Sequence, residues 1–92
     1  MSRLVRPDEL LAATEYVIGT SAHHTPSLRT GGRRYLAKCV YWAALGESGY
    51  SMNEVAQITG ANKSTIWHAM EHDVPKHLVD AVISRANSQV RA

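Results

Sequence analysis

The 92-residue sequence lacks several features that point to particular protein classes. Its single cysteine, Cys39, excludes an internal disulfide framework and a cysteine-rich zinc site. It has no phenylalanine, no Asn-Gly or Asp-Gly hairpin turn and no sustained apolar–polar alternation, so strands are not indicated. With 45% apolar residues, residues 1–92 suffice for one small domain with a modest core, and leave little material for a catalytic cleft.

Long apolar segments are also missing. No run approaches the ~20 residues of a membrane-spanning helix, and the first residues, MSRLVRPDEL, contain no apolar segment of a signal peptide. We therefore expect a cytoplasmic protein without a membrane partner. The phosphate-binding motif G-x-x-x-x-G-K-[S/T] is absent as well, so we expect neither a bound nucleotide nor another cofactor.

Acidic residues are missing from the long stretch between Glu15 and Glu47. The same stretch contains four basic residues: Arg29, Arg33, Arg34 and Lys38. An uncompensated basic segment attracts phosphate groups, although it is equally typical of an ordinary solvated surface. The net charge of +2 does not by itself indicate a nucleic-acid partner.

The spacing of apolar residues predicts helices along most of the chain. A first helix should open at Pro7 and stop at Gly19, and a second should run from near Arg33 to about Leu45. A last helix over residues 75–90 carries an apolar stripe that must be buried against the domain or against a second copy in a homodimer. We predict an all-α fold, a small bundle of about five helices.

The segment 51–73 has the clearest local signals. Ser51 and Glu54 form an S-x-x-E capping box, Gly60 suits a left-handed helix stop, and Asn62 can cap the next helix. A small residue, a glycine and a branched apolar residue then follow at offsets of four and six, the pattern of a helix-turn-helix: Ala56, Gly60 and Ile66.

Projected at about 100° per residue, the second helix of this pair has two different sides. The apolar side gathers Ile66, Trp67, Ala69 and Met70. The polar side gathers Ser64, Thr65, His68, Glu71 and His72, with Asn62 and Lys63 at its start. A short polar side with hydroxyls and a lysine suits a helix that enters the major groove N-terminus first.

The segment HAMEH, from His68 to His72, also matches the H-x-x-E-H pattern of inverted zinc proteases. The two histidines share a helical face and could hold one zinc ion. However, Glu71 points about 60–100° away from both, and no third ligand is evident. We therefore expect neither a metal site nor an enzyme.

From Arg33 to Met70 the sequence resembles the C-terminal, origin-binding domain of the bacterial replication initiator DnaA. The shared features are a basic loop leading into a helix, S-x-x-E-V-A, a glycine turn, and a recognition helix containing S-T-I-x-H-A. The resemblance implies an all-α fold of the Trp-repressor-like kind that reads double-stranded DNA in the major groove. It also implies DNA contacts on the recognition helix by Lys63, Ser64, Thr65 and His68.

In that family the basic loop, near which Arg33 and Arg34 fall, holds the DNA backbone or minor groove. The turn departs from the family pattern, because GANK is one residue shorter than G-G-R-D-H and has Asn62 and Lys63 in place of the Asp-His pair. The resemblance therefore implies a different target sequence. Nothing in the chain resembles the initiator's ATPase.

Together these features predict sequence-specific binding of double-stranded DNA by a nucleoid-associated protein. Its role would be that of a small bacterial or phage transcriptional regulator, or of a DnaA-like site-binding protein without an ATPase. The alternative is a helical protein-interaction module in which the helix-turn-helix is only a scaffold. The candidate DNA-binding residues are Arg29, Arg33, Arg34, Lys38, Asn62, Lys63, Ser64, Thr65, His68 and His72.

Overall fold

A computed structural model describes residues 5–19, 33–72 and 74–91, with side chains over 5–19, 35–71 and 74–88. The described residues form no strand and five helices: α1 (Pro7–Ile18), α2 (Arg33–Glu47), α3 (Met52–Thr59), α4 (Lys63–His72) and α5 (Lys76–Arg91). The predicted all-α bundle of about five helices is confirmed.

The ends of α1 follow from its sequence. Pro7 takes the first helical position, and the Glu9 carboxylate accepts a hydrogen bond from the backbone N–H of Arg6 at 2.9 Å. Gly19 ends the helix in the left-handed region at φ 83°, where its N–H donates to the carbonyl of Glu15. The predicted start and stop are both confirmed.

Helix α2 lies at the centre of the bundle and contacts each of the other four helices. It continues two residues past the predicted end at Leu45, and the chain then turns at Ser48 and Gly49. Every side chain from residue 37 to residue 45 is buried, including Cys39, which packs as a small apolar residue.

Helix α5 closes the core against α1 and α2. The inner part of its apolar stripe is formed by Val79, Val82 and Ala86, each at most 1% exposed. These three residues are therefore buried within the same chain, and the homodimer stays a prediction. No helix among the described residues is both long and apolar enough to cross a membrane.

Candidate functional site

Helix α3 begins with the predicted capping box. The Ser51 hydroxyl accepts a hydrogen bond from the N–H of Glu54 at 3.2 Å, and the Glu54 carboxylate accepts one from the N–H of Ser51 at 2.8 Å. Two of the backbone donors left open at a helix start are thereby satisfied. This cap fixes where α3 starts, beside the first turn of α4.

A turn of three residues joins α3 to α4. Gly60 adopts φ 75°, and its N–H donates to the carbonyl of Ala56 at 2.8 Å. Asn62 then caps α4, since its side-chain oxygen accepts a hydrogen bond from the N–H of Ser64 at 2.8 Å. Both predicted signals thus act as expected, and the two short helices are held close together.

The inner side of α4 anchors the helix on α2 and α3. Ile66 and Ala69 are at most 1% exposed, and Met70 is half-buried. Gly46 on α2 makes room for this packing, because a Cβ added there would lie 3.1 Å from the terminal methyl of Met70. The sequence did not indicate this glycine's role, which depends on which helix lies against it.

Trp67 does not join the inner side, so the sequence prediction for this residue was wrong. Its side chain is 51% exposed. In the helical projection Trp67 falls at the boundary between Met70 and Glu71, on the flank of α4 that is turned toward the start of α3. No helix of the described chain covers that flank, so periodicity alone could not settle the burial of a residue there.

The outer side of α4 is exposed along its described length. The exposed residues are Lys63, Ser64, Thr65, His68 and Glu71, preceded by Asn62 in the turn. Five of the residues predicted from the sequence to bind DNA therefore lie on one continuous surface: Asn62, Lys63, Ser64, Thr65 and His68. Thr65 lies at the edge of this surface that is farthest from Lys63.

A shallow groove of about 500 Å³ separates the start of α3 from the outer side of α4. It is lined by Ser51, Met52, Asn53, Lys63, Ser64, Trp67 and His68. The Lys63 ammonium donates a hydrogen bond to the Asn53 side-chain oxygen at 2.8 Å. The rings of Trp67 and His68 meet edge to face, with their centroids 5.4 Å apart. The groove thus combines an apolar ring, a cation and several hydrogen-bonding groups.

Of the other predicted site residues, Lys38 has a described side chain. Lys38 is 8% exposed within the buried stretch of α2, so the structure does not bring it to the outer side of α4. Arg29 and the side chains of Arg33, Arg34 and His72 lie outside the described residues. Asn53 and Trp67, in contrast, were missed, because their position depends on how α3 and α4 pack.

No group of three or more histidine, cysteine, aspartate or glutamate residues in the described part of the chain could hold a metal ion. His68 and Glu71 both lie on the exposed outer side of α4. Comparisons of the chain with protein-family models, with curated proteins and with solved structures found no match.

Proposed function

We propose that this protein binds double-stranded DNA sequence-specifically, with α3 and α4 acting as a helix-turn-helix and α4 as the recognition helix. The observation that carries the proposal is the exposed outer side of α4, where Lys63, Ser64, Thr65 and His68 project from a helix whose inner side is fully packed. Hydrogen-bonding side chains on a firmly held helix are what major-groove reading requires.

The size and composition of α4 fit the groove. A helix with its side chains is about 10–12 Å across, and the major groove of B-DNA is about 12 Å wide. The hydroxyls of Ser64 and Thr65 can donate to or accept from base edges, and the Lys63 ammonium can donate to guanine or to a phosphate. The short side chains near the start of α4 allow the helix to approach the bases closely.

Lys63 is well placed to serve as a directed donor. One of its N–H groups is held by Asn53 across the groove, and an ammonium has three. Two donors therefore remain for DNA, and the bond to Asn53 reduces the number of side-chain conformers that binding must restrict. Asn53 is thus a positioning residue for Lys63 in this proposal.

The carboxylate of Glu71 lies on the same outer side, two turns after Lys63. A carboxylate close to the DNA backbone repels phosphate, so docking with the N-terminal end of α4 deepest in the groove is favoured over the opposite tilt. The orientation proposed from the hydroxyls and the lysine is therefore the one that the charges favour.

A domain of this size would act by occupying its site, and thereby block or recruit other proteins. Regulation of transcription and binding at a replication origin both fit this mode of action. The sequence resemblance of residues 33–70 to the origin-binding domain of DnaA supports both roles, because the shared residues concern DNA recognition rather than its consequence.

Charge-matched variants test the proposal. After selection of bound duplexes from a random pool, we expect Lys63→Ala to weaken binding to the selected duplex by about 5- to 150-fold, the range of ~1–3 kcal/mol for a lost base contact. Lys76→Ala removes the same charge from α5, where Lys76 pairs with Glu47 and Asp80, and should leave affinity nearly unchanged. Equal losses in both variants would contradict a specific role for Lys63.

The rival function is protein binding by the same surface. It is favoured by two partly exposed apolar side chains on the helix pair, Ile58 at 40% and Trp67 at 51%. Failure of the wild-type chain to bind any duplex at low salt would refute DNA binding and leave this alternative, since phosphate contacts are strongest at low ionic strength.

A further inference from the structure

The groove beside α4 contains two apolar side chains, Met52 and Trp67, and the hydrogen bonds proposed with DNA involve neither. Trp67 leaves 51% of its surface open, while its neighbours on α4, Lys63, Ser64 and His68, are polar. Helix α4 is well packed on its inner side, so the exposure of Trp67 is not a by-product of a loosely held helix. An indole exposed at this flank offers an apolar surface to a ligand group that is itself apolar.

We propose that Trp67 reads the 5-methyl group of a pyrimidine in the major groove, and so gives the protein a preference for thymine or 5-methylcytosine at one position of its site. The inference rests on the proposed function. The 5-methyl group is the apolar group that a base pair presents in the major groove, and apolar side chains are its usual partners.

The placement of Trp67 agrees with this role. It follows Ser64 by three residues and Lys63 by four, so the three side chains lie together on adjacent turns of the helix. A base edge contacted by Ser64 or Lys63 therefore has neighbours within reach of the indole. The edge-to-face contact with the His68 ring restricts the conformers that the Trp67 side chain can adopt.

The polar groups beside the indole fit a DNA ligand. Lys63, Asn53, Ser51 and Ser64 line the groove together with Met52, and the Lys63 ammonium donates to Asn53 on α3. A cation and hydroxyls next to an apolar ring can contact the phosphate and the base edges that flank a methyl group, whereas lysine and serine are depleted in protein–protein interfaces. These groups favour a methylated base over an apolar protein surface.

Deoxyuridine substitution isolates the methyl group. In the selected duplex, each thymine is replaced singly by deoxyuridine, which removes the methyl group and keeps the base pairing. For wild type we expect one position at which affinity falls about fourfold, corresponding to ~0.8 kcal/mol for one buried methyl-sized group. In Trp67→Ala the same replacement should have no effect, because the partner of the methyl group is gone.

Two further variants show whether the deoxyuridine penalty depends on the ring at position 67, rather than on folding or on the loss of any aromatic residue. Trp67→Phe keeps an apolar ring and should retain a deoxyuridine penalty. Tyr16→Ala removes an exposed tyrosine ring on α1 and should keep the full penalty. A Trp67→Ala chain that still showed the fourfold penalty would overturn the proposal, because another residue would then read the methyl group.

Methylated cytosine distinguishes the two sources of the methyl group. At the sensitive position the T·A pair is replaced by C·G and then by 5-methyl-C·G. Recovery of affinity on methylation would show that the methyl group itself is recognised, and no recovery would restrict the preference to thymine. If the wild-type chain bound duplexes but no deoxyuridine position mattered, this inference would fail while DNA binding stood. Absence of all duplex binding would instead remove the proposed function.

Discussion

The aromatic and polar side chains on the two sides of the bundle have different kinds of partner. On the side formed by α1, α2 and α5, the guanidinium of Arg85 lies over the Tyr16 ring at 3.4 Å from its centroid. The hydroxyls of Tyr41 and Tyr50 donate to the carbonyls of Pro7 and Val5. These groups have partners far along the same chain, so their role is to hold the fold together.

On the α3–α4 side, two exposed hydrogen bonds stay within the helix pair. Lys63 bonds Asn53 across the groove, and Asn62 caps its own helix. Trp67 is half exposed, next to His68. Such contacts orient side chains without covering them. The contrast separates a stabilising side, formed by α1, α2 and α5, from a presenting side, formed by α3 and α4, which in the proposed function offers its groups to DNA.

We expect the largest effect, on the stability of the domain, from a change at Ile66, which packs α4 of the presenting side against the core. Ile66 is fully buried, so Ile66→Asp places a charge without a partner in the core, which costs several kcal/mol. We expect loss of the cooperative unfolding transition in urea, followed by circular dichroism. The matched change on the outer side, Thr65→Asp, should keep the transition. A folded Ile66→Asp chain would mean that α4 is not held by its inner side.

The stabilising side can be probed by pH. Burial, with the nearby Asp8 carboxylate, raises the pKa of Tyr41 to about 12. Because this pKa lies above the ordinary value of about 10, the neutral Tyr41 phenol favours the folded state. Its contribution to the free energy of unfolding is complete below pH ~10 and is lost as the pH rises from ~10 toward ~12. The shift corresponds to roughly 2–3 kcal/mol.

We expect the free energy of unfolding, from urea titrations at pH 9 to 12, to fall over this window in wild type. Tyr41→Phe should lose about 1 kcal/mol at neutral pH, with its hydrogen bond to Pro7, and should fall less steeply above pH ~10. Tyr16→Phe serves as the exposed control. Identical slopes in wild type and Tyr41→Phe would contradict a stabilising role for the neutral phenol.

If the presenting side contacts bases, a substitution there should change the protein's preference among duplex sequences. Thr65 is exposed, so Thr65→Ala should leave the free energy of unfolding within about 0.5 kcal/mol. It should reduce discrimination between the selected duplex and a single-base variant by ~1–3 kcal/mol if its hydroxyl contacts a base. Competition titrations measure this. Unchanged affinity and preference would place the recognition surface elsewhere.

We expect the smallest effects from removing one exposed ring on each side, Tyr16 on the stabilising side and Trp67 on the presenting side. Tyr16→Ala removes the ring under Arg85 and should lower the free energy of unfolding by ~0.5–1 kcal/mol, with unchanged duplex affinity. Trp67→Ala should do the reverse, with little change in stability and weaker duplex binding. If both variants lost only stability, the contrast between the two sides would disappear.

Local signals predicted much of the helix pair. The Ser51–Glu54 box, Gly60 and Asn62 each satisfy backbone groups within a few residues, so their effect can be read without knowing the fold. The exposure of Ser64, Thr65 and His68 followed from helical periodicity for the same reason.

Other features depended on packing between distant segments. Trp67 lies at the edge of the apolar arc, and its burial depends on whether a neighbouring helix covers that flank. Lys38 is buried although it stands in a basic stretch, because α2 is surrounded by the other helices. The contacts Lys63–Asn53 and Tyr50–Val5 join residues ten and 45 positions apart, which local patterns do not reveal.

We propose that the outer side of α4 contacts DNA. Backbone amide chemical shifts of the wild-type chain, followed while the selected duplex is added, test it most directly. We predict that the largest changes fall on residues 62–68 and at Asn53, with α5 little affected. Changes centred on α5, or no changes at low salt, would contradict the account.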